Sequence, residues 1–498
     1  MGLLRFFVDP FEAPPDWRHG HRAFISAYDG RVHPTKVEYD GRVLSCRRQQ
    51  HESGKLHVPW QVPGRGSAIV STTSLPEREQ PYVLPLELAR GKLAEVRDQA
   101  AIWQQLRMVL PEGYQQAQQR AFQLLARASA AQSDLSQTCR FAQECLQYAF
   151  AAADALTKAY IVQRQATRKA VTGHKPSLLG CRLEPWPQGD AMWERFPQLF
   201  SAAEIPIEWR NIEPVEGQYD WEPLDRMVSY ALDRRLVLRG GPLIDLGPRG
   251  LPEWLKTWEN DVLNLPSFVC DYIETAIGRY SGAIRVWEVA AHPNTGGALA
   301  LSEDHRLALV ARILESAVHT QSDGAFFIRI DQPWGEYQAR GQHRLSPFQF
   351  VDALLRSNLG LTGVNLEIAM AYEPAGSLSR DLLSLSRLID LWSQLSIQLH
   401  VTLACPSAES RDGLADVDLE VESAEHAPWS ERSQAVWLHD YLSLLLAKPA
   451  VTGVFLSHLD DSMPHRYPHA GLVDGEGRPK AAWEVVSHLQ EQAASAAE

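Results

Sequence analysis

From Ser177 onward the chain repeats one unit, a short apolar run followed by a turn and a helical stretch. Eight such runs occur: Leu178–Glu184, Ile205–Arg210, Leu236–Ile244, Ile284–Ala291, Ala325–Asp331, Val364–Met370, Ile397–Cys405 and Val451–Ser457. Helical patterns separate them, at Pro223–Arg235, Phe268–Tyr280, His305–Thr320, Pro347–Asn358, Arg380–Leu395, Ser430–Ala447 and Pro479–Gln490. No other feature constrains the fold as much. Right-handed crossovers make consecutive strands parallel neighbours, and eight such units predict a (β/α)8 TIM barrel, an α/β fold, over residues 177–493. Function in that architecture belongs at the C-terminal ends of the strands.

Two regions of different character precede the barrel. Residues 1–82 are β-rich by turn chemistry. Lys36–Ser45 reads as a hairpin whose Asp40-Gly41 supplies the positive φ angles of a type I′ turn, with further strands at Leu56–Pro59 and Ala68–Ser71. A small N-terminal β domain is expected, either similar to a carbohydrate-binding module or serving only to pack. Residues 83–172 are rich in Ala, Gln, Leu and Arg. Ala89, Leu93, Val96, Ala100 and Trp103 share one helix face, as do Tyr114, Ala117, Ala121, Leu124 and Ala128. A third stripe, Phe141, Cys145, Tyr148, Ala152 and Leu156, follows a cap at Ser133-Asp134. Short connections predict an antiparallel helical bundle that serves as a spacer or a homo-oligomer contact.

The net charge of -13 argues against nucleic acid as a partner, because phosphate binding needs a basic face. The six cysteines are scattered without a CxxC, which suits free thiols. Leu3–Val8 is too short for a signal-peptide core and Asp9-Pro10 stops it, so a cytoplasmic protein with no membrane segment is expected.

Ile207-Glu-Trp-Arg-Asn-Ile-Glu-Pro-Val-Glu-Gly-Gln-Tyr-Asp-Trp-Glu-Pro-Leu-Asp225 resembles the second-strand signature of glycoside hydrolase family 10, the endo-1,4-β-xylanases. Leu238-Arg-Gly-Gly-Pro-Leu and Leu251-Pro-Glu-Trp254 are similar to its third-strand segments, and Arg478-Pro-Lys-Ala-Ala-Trp483 to its closing Lys-Pro-Ala-Tyr motif. The resemblance implies a retaining pair of glutamates on strands four and seven. The matching residues here are His292 and Leu403. It also implies sugar-binding side chains where this chain carries Glu208, Gly241, Glu367 and Ser457, and an Asp matched by Asp461. A retaining glycosidase needs two carboxyl groups about 5–5.5 Å apart, and leucine supplies neither.

Replacement acids are sought in Asp331-Gln-Pro-Trp334-Gly-Glu336-Tyr337, at the end of strand five. Asp331, Glu336 and His292 are the candidate catalytic residues, in acid/base roles, while Trp334 and Tyr337 would stack on a sugar ring. The other reading is a tight loop in which Asp331 caps the turn and Trp334 packs beneath it. Strand alternation turns Glu288, Arg329 and Glu367 inward, which predicts a buried ionic network. His458, Asp460, Asp461, His465 and His469 invite a metal reading, but Pro468 prevents a helical His-x3-His face, and no metal or cofactor is expected. The expectation is a carbohydrate-active, xylanase-like protein with a remodelled site. The alternative is a non-catalytic barrel that binds a glycan or a protein partner.

Overall fold

The computed structural model describes residues 2–8, 17–169, 176–185, 191–259, 261, 264–416, 419–421 and 428–495. Asp9-Pro10 and the junction after residue 172 lie outside them.

Eight strands form the barrel: β1 (Leu178–Arg182), β2 (Ala202–Ile205), β3 (Val237–Gly240), β4 (Val286–Ala291), β5 (Ala325–Asp331), β6 (Leu361–Ala369), β7 (Gln398–Ala404) and β8 (Val451–Leu456). Each pairs in parallel with the next, and β8 returns to β1 through Leu456↔Cys181, closing the ring. A two-residue strand, Ile244–Asp245, adds to the C-terminal end of β4. One boundary differs from the sequence reading. β2 begins at Ala202, and the stretch expected to be its end turns into a short helix at Trp209–Ile212. The apolar run Ile205–Ile207 marked a buried segment, but Pro206 has no N–H to continue the ladder.

Inward side chains stack in layers, as the period of two requires. The lowest layer is aromatic. Phe327 and His400 stack with centroids 4.2 Å apart, and Phe455 lies beside them. Gly363 makes room for that stack, since a Cβ there would sit 2.2 Å from the Phe327 ring. Above it comes a layer of charges.

The N-terminal region holds two four-stranded sheets. The expected hairpin joins Lys36–Tyr39 to Val43–Arg48, but its central pair is Gly41–Arg42. Only Gly41 takes a positive φ, 91°, and Asp40 instead accepts from the N–H groups of Arg42 and Val43. The helices are α1 (Leu84–Gln105), α2 (Glu112–Ala130) and α3 (Leu135–Lys169). Their apolar stripes are buried as expected, save that Ala117 is half-buried and Tyr148 is exposed. Leu88, Leu93 and Phe150 pack with the β-sheets, whereas Val96, Trp103 and Leu156 pack with the barrel. The bundle therefore joins two cores. Among the described residues, no helix is long and apolar enough to cross a membrane.

Candidate functional site

The middle layer of the barrel is built from strand residues that face one another. Arg329 of β5 approaches Glu204 of β2 at 3.0 Å, Glu288 of β4 at 2.6 Å and Glu367 of β6 at 3.4 Å. Arg239 of β3 also pairs with Glu204, and its guanidinium lies over the Phe455 ring. Asn365 donates to Glu288 at 2.6 Å and to Thr402 at 2.9 Å. The expected Glu288–Arg329–Glu367 network is present, enlarged by Glu204 and Arg239. Burial opposes the charge on Glu204, but Arg329 and Arg239 hold its carboxyl below the usual range. For Glu288 burial prevails over Arg329 and the carboxyl is pushed up.

His292 sits one layer higher, just past β4, in a left-handed conformation with φ 53°. Its Nδ1 lies 2.5 Å from Asp245 and its Nε2 lies 2.6 Å from Glu367. Two carboxylates on the two ring nitrogens call for an imidazolium that donates to both. Burial works against that charge, but Asp245 and Glu367 outweigh burial and Arg466, raising the group to about 9. In return, and against burial, His292 keeps Asp245 and Glu367 well below the carboxylate range. Arg466, from the loop after β8, closes the top with its Nη1 3.1 Å from His292 Nε2. Beside it Tyr467 is buried against Tyr372 and the small side chains Ala369 and Ala404.

Asp331 is the exception. Among the described residues its carboxyl makes one weak contact, from Gln332 Nε2 at 3.4 Å. Its backbone is fixed by Asn294, whose side chain donates to the Asp331 carbonyl at 2.8 Å. Burial, reinforced by Glu367, lifts the Asp331 carboxyl above its ordinary value despite His292 and Arg466. Asp331 and Glu367 are register partners on β5 and β6. The two carboxyls are thus adjacent, one favouring its proton and the other its charge.

The remaining candidates lie elsewhere. Glu336 pairs with Arg380 at 2.7 Å, and that guanidinium covers the Trp334 ring at 4.6 Å. Trp334 faces the cleft between the barrel and the N-terminal region, and Tyr337 meets His343 edge-on. Glu208 is held by Arg182 and Asn211, both at 2.8 Å. Asp461 is neutralised by Lys480, accepts from Gly471 N and contacts His458 at 2.9 Å. His458, Asp461 and His465 do converge, with potential ligand atoms within 4.8 Å. However, both His465 nitrogens already face acceptors, Met463 O and Asp412, and Asp461 is taken by Lys480. The Lys480 ammonium supplies the positive charge there instead.

The comparisons with known proteins accord with this architecture. Residues 195–300 match the model of Glycosyl hydrolase family 10. Solved structures with the same fold include a GH10 protein from Paenibacillus barcinonensis, at 16% identity and a TM-score of 0.50, covering 66% of this chain and 97% of that one. A GH10 endoxylanase from a sugarcane soil metagenome aligns at 14% identity and TM-score 0.50, over 63% and 97% of the two chains. The barrel is glycoside hydrolase family 10-like. By sequence, endo-1,4-beta-xylanase 3 of Hypocrea jecorina is 31% identical over 86 residues, 17% of this chain and 24% of that protein. Endo-1,4-beta-xylanase B of Thermotoga neapolitana is 26% identical over 83 residues, 17% and 23% of the two. The matched stretch thus spans about a quarter of these curated relatives.

The register of β7 turns Leu403 away from the interior of this family 10-like barrel. Leu403 pairs with Ile368 in the β6–β7 register, while Thr402 pairs with Glu367 and Ala404 with Ala369. Glu367 and Thr402 point into the barrel, so Leu403 points out to the helices, and the inward residues at the end of β7 are Thr402 and Ala404. Neither carries a carboxylate. Sequence reasoning also missed Asp245, Glu204, Arg239 and Arg466. Asp245 carried a usable signal, an acid ending an apolar strand segment at the mouth. Glu204 was excluded by starting β2 at Ile205 instead of Ala202, and nothing local marks Arg466.

Proposed function

We propose that this protein is a carbohydrate-binding, xylanase-like barrel that does not hydrolyse its ligand. The observation that carries the reading is the bridge of His292 between Asp245 and Glu367 beneath Arg466. A retaining site keeps one carboxylate free to attack and one carboxyl free to protonate across an open cleft. Here Asp245 and Glu367 pair with His292, Asp331 is 5% exposed, and His292 and Glu367 are each 1% exposed. The test is incubation with xylo-oligosaccharides, following reducing ends and, separately, saturable binding by calorimetry. Binding without new reducing ends is expected. Turnover that tracks enzyme concentration would overturn the reading.

A second reading rests on Asp331 and Glu367. Their adjacency and opposite shifts are how acid and nucleophile roles are divided in carboxyl pairs. It requires Arg466 and Tyr467 to move aside. Any hydrolysis that disappears in a folded Asp331→Asn variant supports it, and hydrolysis that survives removes Asp331 from the chemistry.

A further inference from the structure

A cleft of about 890 Å³ separates the barrel from the N-terminal region, on the flank where Trp334 lies. Its walls include the strand Lys55–Val62 with its neighbour, helices α1 and α3, and the barrel segment Arg380–Leu391. The volume falls in the range of small-molecule sites. The chain carries a net charge of -13, yet six basic side chains line this cleft against three acidic ones. Three of these cations are already matched. Lys92 reaches Asp381 at 2.6 Å and Glu95 at 3.1 Å. Arg387 shares Glu95 at 3.7 Å, and Arg380 is held by Glu336. Lys55 is different. Among the described residues its ammonium has no hydrogen bond and no carboxylate at ion-pair distance. Burial and the repulsion of Arg387, Lys92 and Arg380 outweigh the attraction of Glu95, which Lys92 and Arg387 already share.

The floor beneath Lys55 is rigid and neutral. His57 is fixed through both ring nitrogens, to Ser26 Oγ at 2.8 Å and Ser71 Oγ at 2.7 Å, and it stacks on Phe24. Burial, with Lys55 and Arg380 nearby, keeps that imidazole uncharged. The opposite wall offers Leu388, Leu391 and Trp334 as apolar surface. A half-buried cation without an ion-pair partner of its own is costly unless something of opposite sign joins it.

We propose that this cleft binds a small organic anion, with one carboxylate or phosphate group seated on Lys55 and its apolar or ring portion against Leu388, Leu391 and Trp334. The site lies apart from the barrel mouth and does not depend on what the mouth does. The probes are sodium glucuronate, inorganic phosphate and neutral xylose, titrated calorimetrically into the full chain. Saturable binding of either anion but not of xylose is expected, and the tighter anion tells a carboxylate source from a phosphate source. Lys55→Met is expected to weaken that binding about tenfold or more, and Lys55→Arg to retain it. Both variants are checked by melting temperature, with Lys55→Gln as a substitute should Lys55→Met melt early. Absence of saturable anion binding, or undiminished binding in the folded Lys55 variants, would overturn the proposal.

Discussion

Lys92 of α1 and Asp381 of the barrel lie 289 residues apart in sequence, yet the lysine Nζ is 2.6 Å from the aspartate oxygen and both side chains are 3% exposed. Asp381 is also the N-cap of the helix Leu382–Trp392, accepting from Ser384 N. One carboxylate thus both starts a barrel helix and fastens the N-terminal region to it.

Breaking that pair is expected to be expensive. Lys92→Met should cost about 3–5 kcal/mol, because it strands a buried carboxylate, while Lys92→Met with Asp381→Leu should recover part of the loss. Recovery will be partial, since the double variant also loses the cap, worth about 1 kcal/mol. Urea denaturation of the two single variants and the double variant measures the coupling.

Stability should depend on pH through His292. Its folded value of about 9 exceeds the ordinary imidazole value of 6.5. Its contribution is therefore fully present below about pH 6.5 and lost as pH rises through about 9, a change of roughly 3 kcal/mol. Asp245 and Glu367 act in the opposite sense. Their depressed values give stability that is present above about pH 4 and lost as the solution is acidified. The cluster is best satisfied between those limits. Denaturation midpoints at about pH 6 and pH 9.5 should differ in the parent and converge in His292→Gln.

Arg329 holds three carboxylates at once, so Arg329→Met should be the most damaging single change in the barrel. A loss of at least about 3–5 kcal/mol is expected, from uncompensated charges in the interior. The check is a thermal melt alongside a comparable apolar truncation such as Ile330→Ala, expected to cost about 2–5 kcal/mol.

The register of β7 makes a sharper prediction. Leu403→Glu should destabilise by several kcal/mol and give no hydrolysis, because the new carboxylate would enter the helix–sheet core. Thr402→Glu places its carboxylate inside, facing Arg239. Near-parent melting of Leu403→Glu would show that the strand runs one residue out of the register described.

Removing the lone acid should do the reverse. Asp331 is raised by burial, so ionising it costs folding energy above its unfolded range. Asp331→Asn is therefore expected to match or exceed the parent in stability at about pH 8 and to lose that advantage at about pH 4. Paired melts at the two pH values read the difference.

The barrel was legible in the chain because its signal is repetitive and local. Alternating apolar runs such as Phe326–Ile330 and capped helices such as Ser346–Arg356 read the same way in isolation as in the fold. The stripes of α1 and α3 were equally visible, for the same reason. What they packed against was not, and the split of α1 between two cores appears only in three dimensions.

The candidate site divided along the same line. The inward set Glu288, Arg329 and Glu367 follows from counting residues along strands, whereas the use of Glu336 by Arg380 depends on a residue 44 positions away. Sequence by itself determined the order of elements, the parallel barrel, its likeness to family 10 and the inward placement of Asp331 and Glu367. Tertiary structure alone decided that His292 would be charged, that Leu403 would face outward and that Asp331 would stand apart from the ion pairs. Those outcomes are set by a one-residue choice of register and by which charges meet across the ring, and electrostatic energies in a buried layer depend on distances between strands that no local pattern encodes.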